Sequence, residues 1–196
     1  MDEARLNANY LKYIQRLEKY NCYSQRMMDE IGEKIKRAPY ALSDPMRGAY
    51  EGGMVDIVLN RLCRIAYDIN EMALTGTDKD KPRHPRLAVN FSMLMRVLLL
   101  QHLAKAVMFI PSTDDWKIKK GYIYDFNDDL PGSMKLGERS LYLCQNYGIV
   151  LAEEEFEAMT SIDRDMEENK LIMTSTLCVL TKMVNTLTTI ELKNYK

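Results

Sequence analysis

The sequence predicts an all-α bundle, on three observations. Apolar residues recur at three- and four-residue spacing through one stretch after another, the period of a helix with one buried face. Glycine and proline are scarce, 9 and 6 in 196 residues, too few for the turn-rich β architectures. Apolar residues make up 46% of the chain and charged residues 28%, an ordinary globular balance that excludes a disordered or collagen-like chain. At about 150 residues per domain, the length favours one compact unit with an added element over two independent domains. The division expected is a helical extension over residues 1–38 and a main helical domain over 39–196.

Residues 3–38 read as one or two amphipathic helices. Leu6, Tyr10, Tyr13, Ile14 and Leu17 keep helical spacing, as do Met27, Met28, Ile31 and Ile35, with a break or bend over Asn21–Ser24. Tyr10, Tyr13, Tyr20 and Tyr23 make a tyrosine-rich stripe of the kind used for core or interface packing. Pro39 ends this region. A second helix is expected over 51–74, followed by a polar, proline-bearing loop over Thr75–Arg86. The third, about Leu87–Phe109, is apolar nearly all round at Val97–Leu100 and so belongs in the middle of a bundle. Residues 110–135 lack helical periodicity. There Trp116–Ile118 and Tyr122–Tyr124 alternate around Lys119-Lys120-Gly121, which suggests one short β-hairpin. Three more helices follow, over 137–147, 152–168 and 170–192. The first stops at Gly148, the second opens on Glu153–Glu155, where a helix dipole favours carboxylates, and the third is unusually rich in threonine.

Charge and cysteine content narrow the function classes. Lys+Arg number 27 against Asp+Glu 28, a net charge of −1, so phosphate neutralisation does not indicate a nucleic-acid partner. Cys22, Cys63, Cys144 and Cys178 form no C-x-x-C pair, and buried free thiols are expected. The polar start Met1–Arg5 reads as no signal peptide. The apolar stretch Leu87–Ile110 is interrupted by Arg96, His102 and Lys105, a core helix rather than a membrane span. No membrane partner is expected, and the compartment is a reducing, cytoplasmic one.

Three stretches carry a resemblance. Ala38-Pro39 precedes Arg47-Gly48-Ala49-Tyr50-Glu51-Gly52-Gly53-Met54-Val55-Asp56-Ile57. Leu99-Leu100-Gln101-His102-Leu103-Ala104-Lys105-Ala106 follows. The third runs from Asn127-Asp128-Asp129-Leu130-Pro131 through Gly137-Glu138-Arg139-Ser140-Leu141 to Glu153–Met159. In order and framework these resemble the HD-domain phosphohydrolase superfamily, in particular the short HD proteins of bacteria and their phages, with the motifs G-G-L-L-x-H, L-L-H-D-L-x-K-A and N-D-x-L-P…H-G-E-R-S. The resemblance covers roughly residues 38–190 and implies an HD-domain-like helical bundle. In that superfamily histidines and aspartates from several helices converge on divalent ions, which polarise a phosphoryl group and activate water.

The same resemblance places the metal-ligand positions on residues that mostly cannot ligate. The first histidine falls on Ile57, the H-D pair on Gln101-His102, the histidine before G-E-R-S on Leu136, a later one on Ile162 or Asp163, and the closing aspartate on Asn185. Sliding the register to make His102 the motif histidine would displace Lys105 and Ala106, which match, so His102 keeps the aspartate position. Ile57, Gln101, His102, Lys105, Leu136, Asp163 and Asn185 are therefore expected to mark a remnant pocket without a metal or other cofactor and without catalytic residues, since a metal site needs three or more good ligands. The acidic run Asp163, Asp165, Glu167 and Glu168 lacks the glycine of a calcium loop and reads as a solvated helix end. No P-loop, dinucleotide fingerprint or serine-nucleophile motif occurs.

The reading that follows is a non-catalytic HD-like protein kept for binding or assembly, a homo-oligomer or one of several protein subunits, such as a ring or connector of a phage particle. Its location would be the cytoplasm or a virion. The N-terminal helices, or the loop Thr75–Arg86, are the surfaces expected to meet neighbours. Two alternatives are a nucleotide or nucleic-acid binder using the remnant pocket, and a phosphohydrolase with an altered metal set.

Overall fold

The computed structural model describes residues 2–74, 90–163 and 175–194. It is an all-α arrangement with one two-stranded sheet. Helix α1 (Glu3–Lys19) starts at Asp2, whose carboxylate accepts from the Arg5 amide at 2.7 Å, and buries Leu6, Tyr13 and Leu17. A chain reversal over Tyr20–Ser24, with Asn21 in the left-handed region at φ 54°, leads to α2 (Gln25–Arg37). Ser24 caps α2, and Met27, Ile31 and Ile35 fill its inner face.

Of the four N-terminal tyrosines, Tyr13 and Tyr20 are buried inside the subunit, while Tyr10 and Tyr23 are half-buried. Tyr13 is fully buried and its hydroxyl donates to the Leu99 carbonyl at 2.7 Å, while the Tyr20 and Tyr67 hydroxyls share a 2.7 Å hydrogen bond. Leu17, Met27 and Ile35 belong to the same apolar cluster as the helices that follow.

The expected second helix is one helical path with a defect in it. Helix α3 (Gly53–Ile57) passes through a π-helical turn over Val58–Leu62 into α4 (Cys63–Leu74). Asp56, buried on α3, accepts from Asn9, Asn60 and Tyr50 at 3.0, 2.7 and 2.5 Å, which ties α1 to α3.

The third expected helix is cut short. Helix α5 (Phe91–Leu100) ends in a tight turn over Gln101–Ala104 before a single turn, α6 (Lys105–Met108), and Phe109 already enters a strand. Residues 87–89 lie outside the described segments. The stretch Phe91–Met108 has the length and hydropathy of a membrane span, yet 67% of it is buried inside the bundle. Helix α5 is central: Leu94, Leu98, Leu99 and Leu100 are buried, and α1, α4, α8, α9 and α10 pack on it. Arg96 is the polar exception. It pairs with buried Glu155 at 2.7 Å and donates to the Asn21 carbonyl at 2.9 Å, pinning the α1–α2 reversal to the bundle.

The sheet exists, but not in the expected register. Strand β1 (Phe109–Pro111) pairs antiparallel with β2 (Tyr124–Phe126), Ile110 opposite Asp125. Trp116–Ile118, expected as a strand, lies instead in the short helix α7 (Asp115–Lys119). The reason is local: Asp114 caps that helix by accepting from the amides of Trp116 and Lys117, and Gly121, at φ 87°, turns the chain back.

Helix α8 (Leu136–Asn146) is followed by Gly148 at φ 73°, and α9 (Glu153–Ser161) opens with Glu155 accepting from the Ala152 amide at 2.8 Å. The expected continuation of α9 to 168, and the start of the last helix at 170, fall outside the described residues. Helix α10 (Thr176–Asn194) packs across α9, α5 and α4. The threonine-rich sequence is accommodated by burial of Thr181 and Thr188 on its inner face.

Candidate functional site

The turn that ends α5 has a specific cause. Ser140 of α8 inserts its hydroxyl there, donating to the Gln101 carbonyl at 3.0 Å and accepting from the Ala104 amide at 3.1 Å. A side chain entering the helical ladder breaks it. The backbone shortens to three-residue hydrogen bonds, Leu103 to Leu100, Lys105 to His102 and Ala106 to Leu103. Three polar side chains of this tightened segment, Gln101, His102 and Lys105, are thereby set into the interior.

Gln101 faces α10. Its amide nitrogen donates to Asn185 Oδ1 at 3.3 Å and its oxygen accepts from Asn185 Nδ2 at 3.1 Å, a reciprocal amide pair in which Asn185 also donates to the Thr181 carbonyl at 2.8 Å. His102 faces Tyr40. Its Nε2 lies 3.2 Å from the Tyr40 hydroxyl, and the two rings meet edge to face with centroids 4.9 Å apart. Its Nδ1 is buried with no hydrogen-bond partner, as are the hydroxyls of Thr181 and Thr188. Lys105 donates to the Tyr40 carbonyl at 2.6 Å, with its ammonium 3.4 Å from the centre of the Tyr40 ring.

Burial sets the protonation states. It drives the His102 pKa well below the ordinary value, Lys105 adds repulsion, and the Asn185 side chain opposes both. His102 is therefore neutral. Lys105 is pushed down from 10.5 to about 7 by the same burial, against the attraction of Asp163. Burial raises the Asp163 carboxyl, while the Gly137 amide that donates to it pulls the other way.

Tyr40 is held by Gly48, whose carbonyl accepts from the Tyr40 amide at 2.8 Å. Gly48 has φ 89°, and a side chain there would stand 2.7 Å from Tyr40 Cβ and 3.2 Å from Ile57 Cγ1. Ile57 thus belongs to the layer behind Tyr40.

The expected residues divide accordingly. Gln101, His102 and Lys105 are buried on one segment, Gln101 paired with half-buried Asn185 and the other two meeting at Tyr40. Ile57 reaches that segment only through Gly48 and Tyr40, and Asp163 only through its charge. Leu136 is half-buried, next to the Gly137 amide that holds Asp163. Tyr40 and Ser140 were not singled out from the sequence. Ser140 stood within the Gly137–Leu141 stretch that carries the resemblance, while nothing marked Tyr40 beyond its place after Pro39. Among the described residues no group of three or more His, Cys, Asp or Glu side chains converges to hold a metal ion. Searches against family models, curated proteins and solved structures returned no match.

Proposed function

We propose that this chain is a non-catalytic, HD-like helical bundle that works by binding and assembly, as a homo-oligomer or a multi-copy subunit of a larger particle such as a phage ring or connector. The observation that carries this reading is the excursion over residues 109–126. It presents Trp116, Tyr122 and Phe126 to solvent, 62%, 47% and 55% exposed, beside Ile118 and Ile123. Large apolar side chains exposed together on one excursion are the kind of surface that protein interaction sites use. The interior supports the non-catalytic half. Each amide oxygen of Gln101 and Asn185 accepts from the other's amide nitrogen, so a divalent cation would meet oxygens already engaged as acceptors. With Tyr13 and Tyr20 buried inside the subunit and the loop Thr75–Arg86 outside the described residues, the excursion is the surface proposed to meet neighbours.

Metal analysis together with native mass measurement of the purified full-length chain tests this. A multimer with sub-stoichiometric metal is expected. Stoichiometric manganese, iron or zinc bound at Gln101, His102 and Asn185, or a phosphatase activity that survives purification and disappears in His102→Ala, would overturn it.

A further inference from the structure

The excursion is tied together by hydrogen bonds and has two unlike ends. Its base is closed by Asn127, whose amide donates to the Met108 carbonyl at 2.8 Å and whose side chain donates to Val107 at 3.2 Å. Helix α7 is clamped onto β2 by Asp125, which accepts from Lys117 at 2.8 Å and Ser112 at 2.7 Å. The tip carries Lys119 and Lys120, both exposed and in no ion pair, with the Lys120 ammonium 3.9 Å from the centre of the Trp116 ring. The base carries Asp128 and Asp129, also exposed and in no ion pair. A groove of about 400 Å³ there is lined by Met108, Phe126, Leu130 and Met134, with Asp128 and the buried Arg139 also in its wall. The largest exposed aromatic thus projects from one end of the excursion and a largely apolar groove borders the other, with Lys119 and Lys120 following Trp116, which Asp114 and Asp115 precede, and Asp128 and Asp129 at the groove.

We propose that this surface docks a second copy of the same chain about a two-fold axis, the Trp116 of each copy seated in the Phe126–Met134 groove of the other, with Lys119 and Lys120 of one tip against Asp128 and Asp129 of the other base. This deepens the assembly reading and rests on it. A two-fold contact is self-complementary, so each unlike pair forms twice, and a surface already tied together by hydrogen bonds loses less entropy on docking. Segment 114–129 carries more aspartate than lysine, which argues against an anionic membrane or a nucleic-acid backbone as the occupant. Strand addition is not the mode. The edge of β1 lacks an amide at Pro111, and the far edge of β2 is covered where Tyr124 donates to Leu42 at 3.2 Å and Ser43 bridges Tyr122.

Trp116 is the only tryptophan in the chain and reports on the contact directly. Sedimentation and tryptophan emission of the full-length protein are followed over a concentration series. The expected result is a dimer whose formation shifts the emission to the blue. Trp116→Ala abolishes the dimer. Lys119→Glu with Lys120→Glu, and separately Asp128→Lys with Asp129→Lys, each weaken it by about a hundredfold, and all four changes together restore it. Circular dichroism shows every variant folded, since all these side chains are exposed. A wild-type chain that stays monomeric at high concentration overturns both this contact and the assembly reading. A multimer indifferent to Trp116→Ala and to both charge reversals overturns the contact alone. Sensitivity to each reversal without rescue by the combination overturns the tip-to-base pairing.

Discussion

Replacing Lys105 by methionine removes a buried amine while keeping a similar stem, and its effect depends on pH in a calculable way. In the folded chain burial brings the Lys105 pKa from 10.5 down to about 7. At about 1.36 kcal/mol per pKa unit, that is about 5 kcal/mol between the two protonation states. The unfolded chain holds the proton up to about pH 10.4, so between the two values it binds more protons than the folded chain, and stability rises with pH. From about pH 7 to about pH 9.5 the rise is about 3 kcal/mol. The buried thiols act oppositely: Cys22 and Cys63 are raised to about 12 and about 11, so the unfolded chain loses their protons first and stability falls above about pH 8.5. That contribution is common to both proteins and cancels in the difference. The variant also leaves the Tyr40 carbonyl without its donor, a pH-independent cost of about 1–3 kcal/mol. Urea denaturation of wild type and Lys105→Met, followed by far-ultraviolet circular dichroism across this range, should show the wild type gaining about 3 kcal/mol relative to the variant. A difference that stays flat within about 0.5 kcal/mol would mean that Lys105 is solvated and the cluster is not closed.

The core makes simpler demands. Leu98→Ala, at a fully buried position on α5, should cost about 2–5 kcal/mol in chemical denaturation, and a loss below about 0.5 would place the core elsewhere. Asn185→Leu strands the fully buried Gln101 amide and should cost about 1–3 kcal/mol, whereas Gln101→Leu leaves a half-buried Asn185 that still donates to Thr181, and costs less. The double variant should be more stable than the sum of the two losses implies; strict additivity would show that the amides do not interact. Ser140→Ala leaves the Gln101 carbonyl and the Ala104 amide unpaired, for a loss of about 1–3 kcal/mol. Amide exchange at Ala104 should quicken in that variant more than at Leu98.

Helices were legible wherever one face repeats at helical spacing. Val97–Leu100, expected in the middle of the bundle, are buried. The break over Asn21–Ser24 falls where the sequence turns polar. The early end of α5 was not legible, because nothing in Leu99–Ala106 interrupts helical propensity. The interruption comes from Ser140, 39 residues away. The strand expected at Trp116–Ile118 failed for a nearby reason: apolar alternation over a few residues is weaker than an aspartate cap followed by a turn glycine. In the site, of the seven residues the resemblance suggested, Gln101 pairs with Asn185, and His102 and Lys105 meet at Tyr40, while Ile57, Leu136 and Asp163 lie around them. It could not supply Tyr40, which reaches them through a connector folded around Gly48.

The hydrogen bond from Tyr13 to the Leu99 carbonyl spans 86 residues, and that separation has a meaning for the chain as it is made. At about 5–20 residues per second, roughly 4–17 s pass between the appearance of the two partners at the ribosome. The amide pair between Gln101 and Asn185 imposes a second wait of similar length, since they are 84 residues apart. Over the first interval α1 carries Leu6, Tyr13 and Leu17 with no α5 to receive them. Over the second, α5 carries its polar end with no α10 to cover it. Holding chaperones have their natural targets in these two intervals, and a variant that slows the docking of α10 would lower the yield of folded protein in cells before it lowered the stability of what had folded.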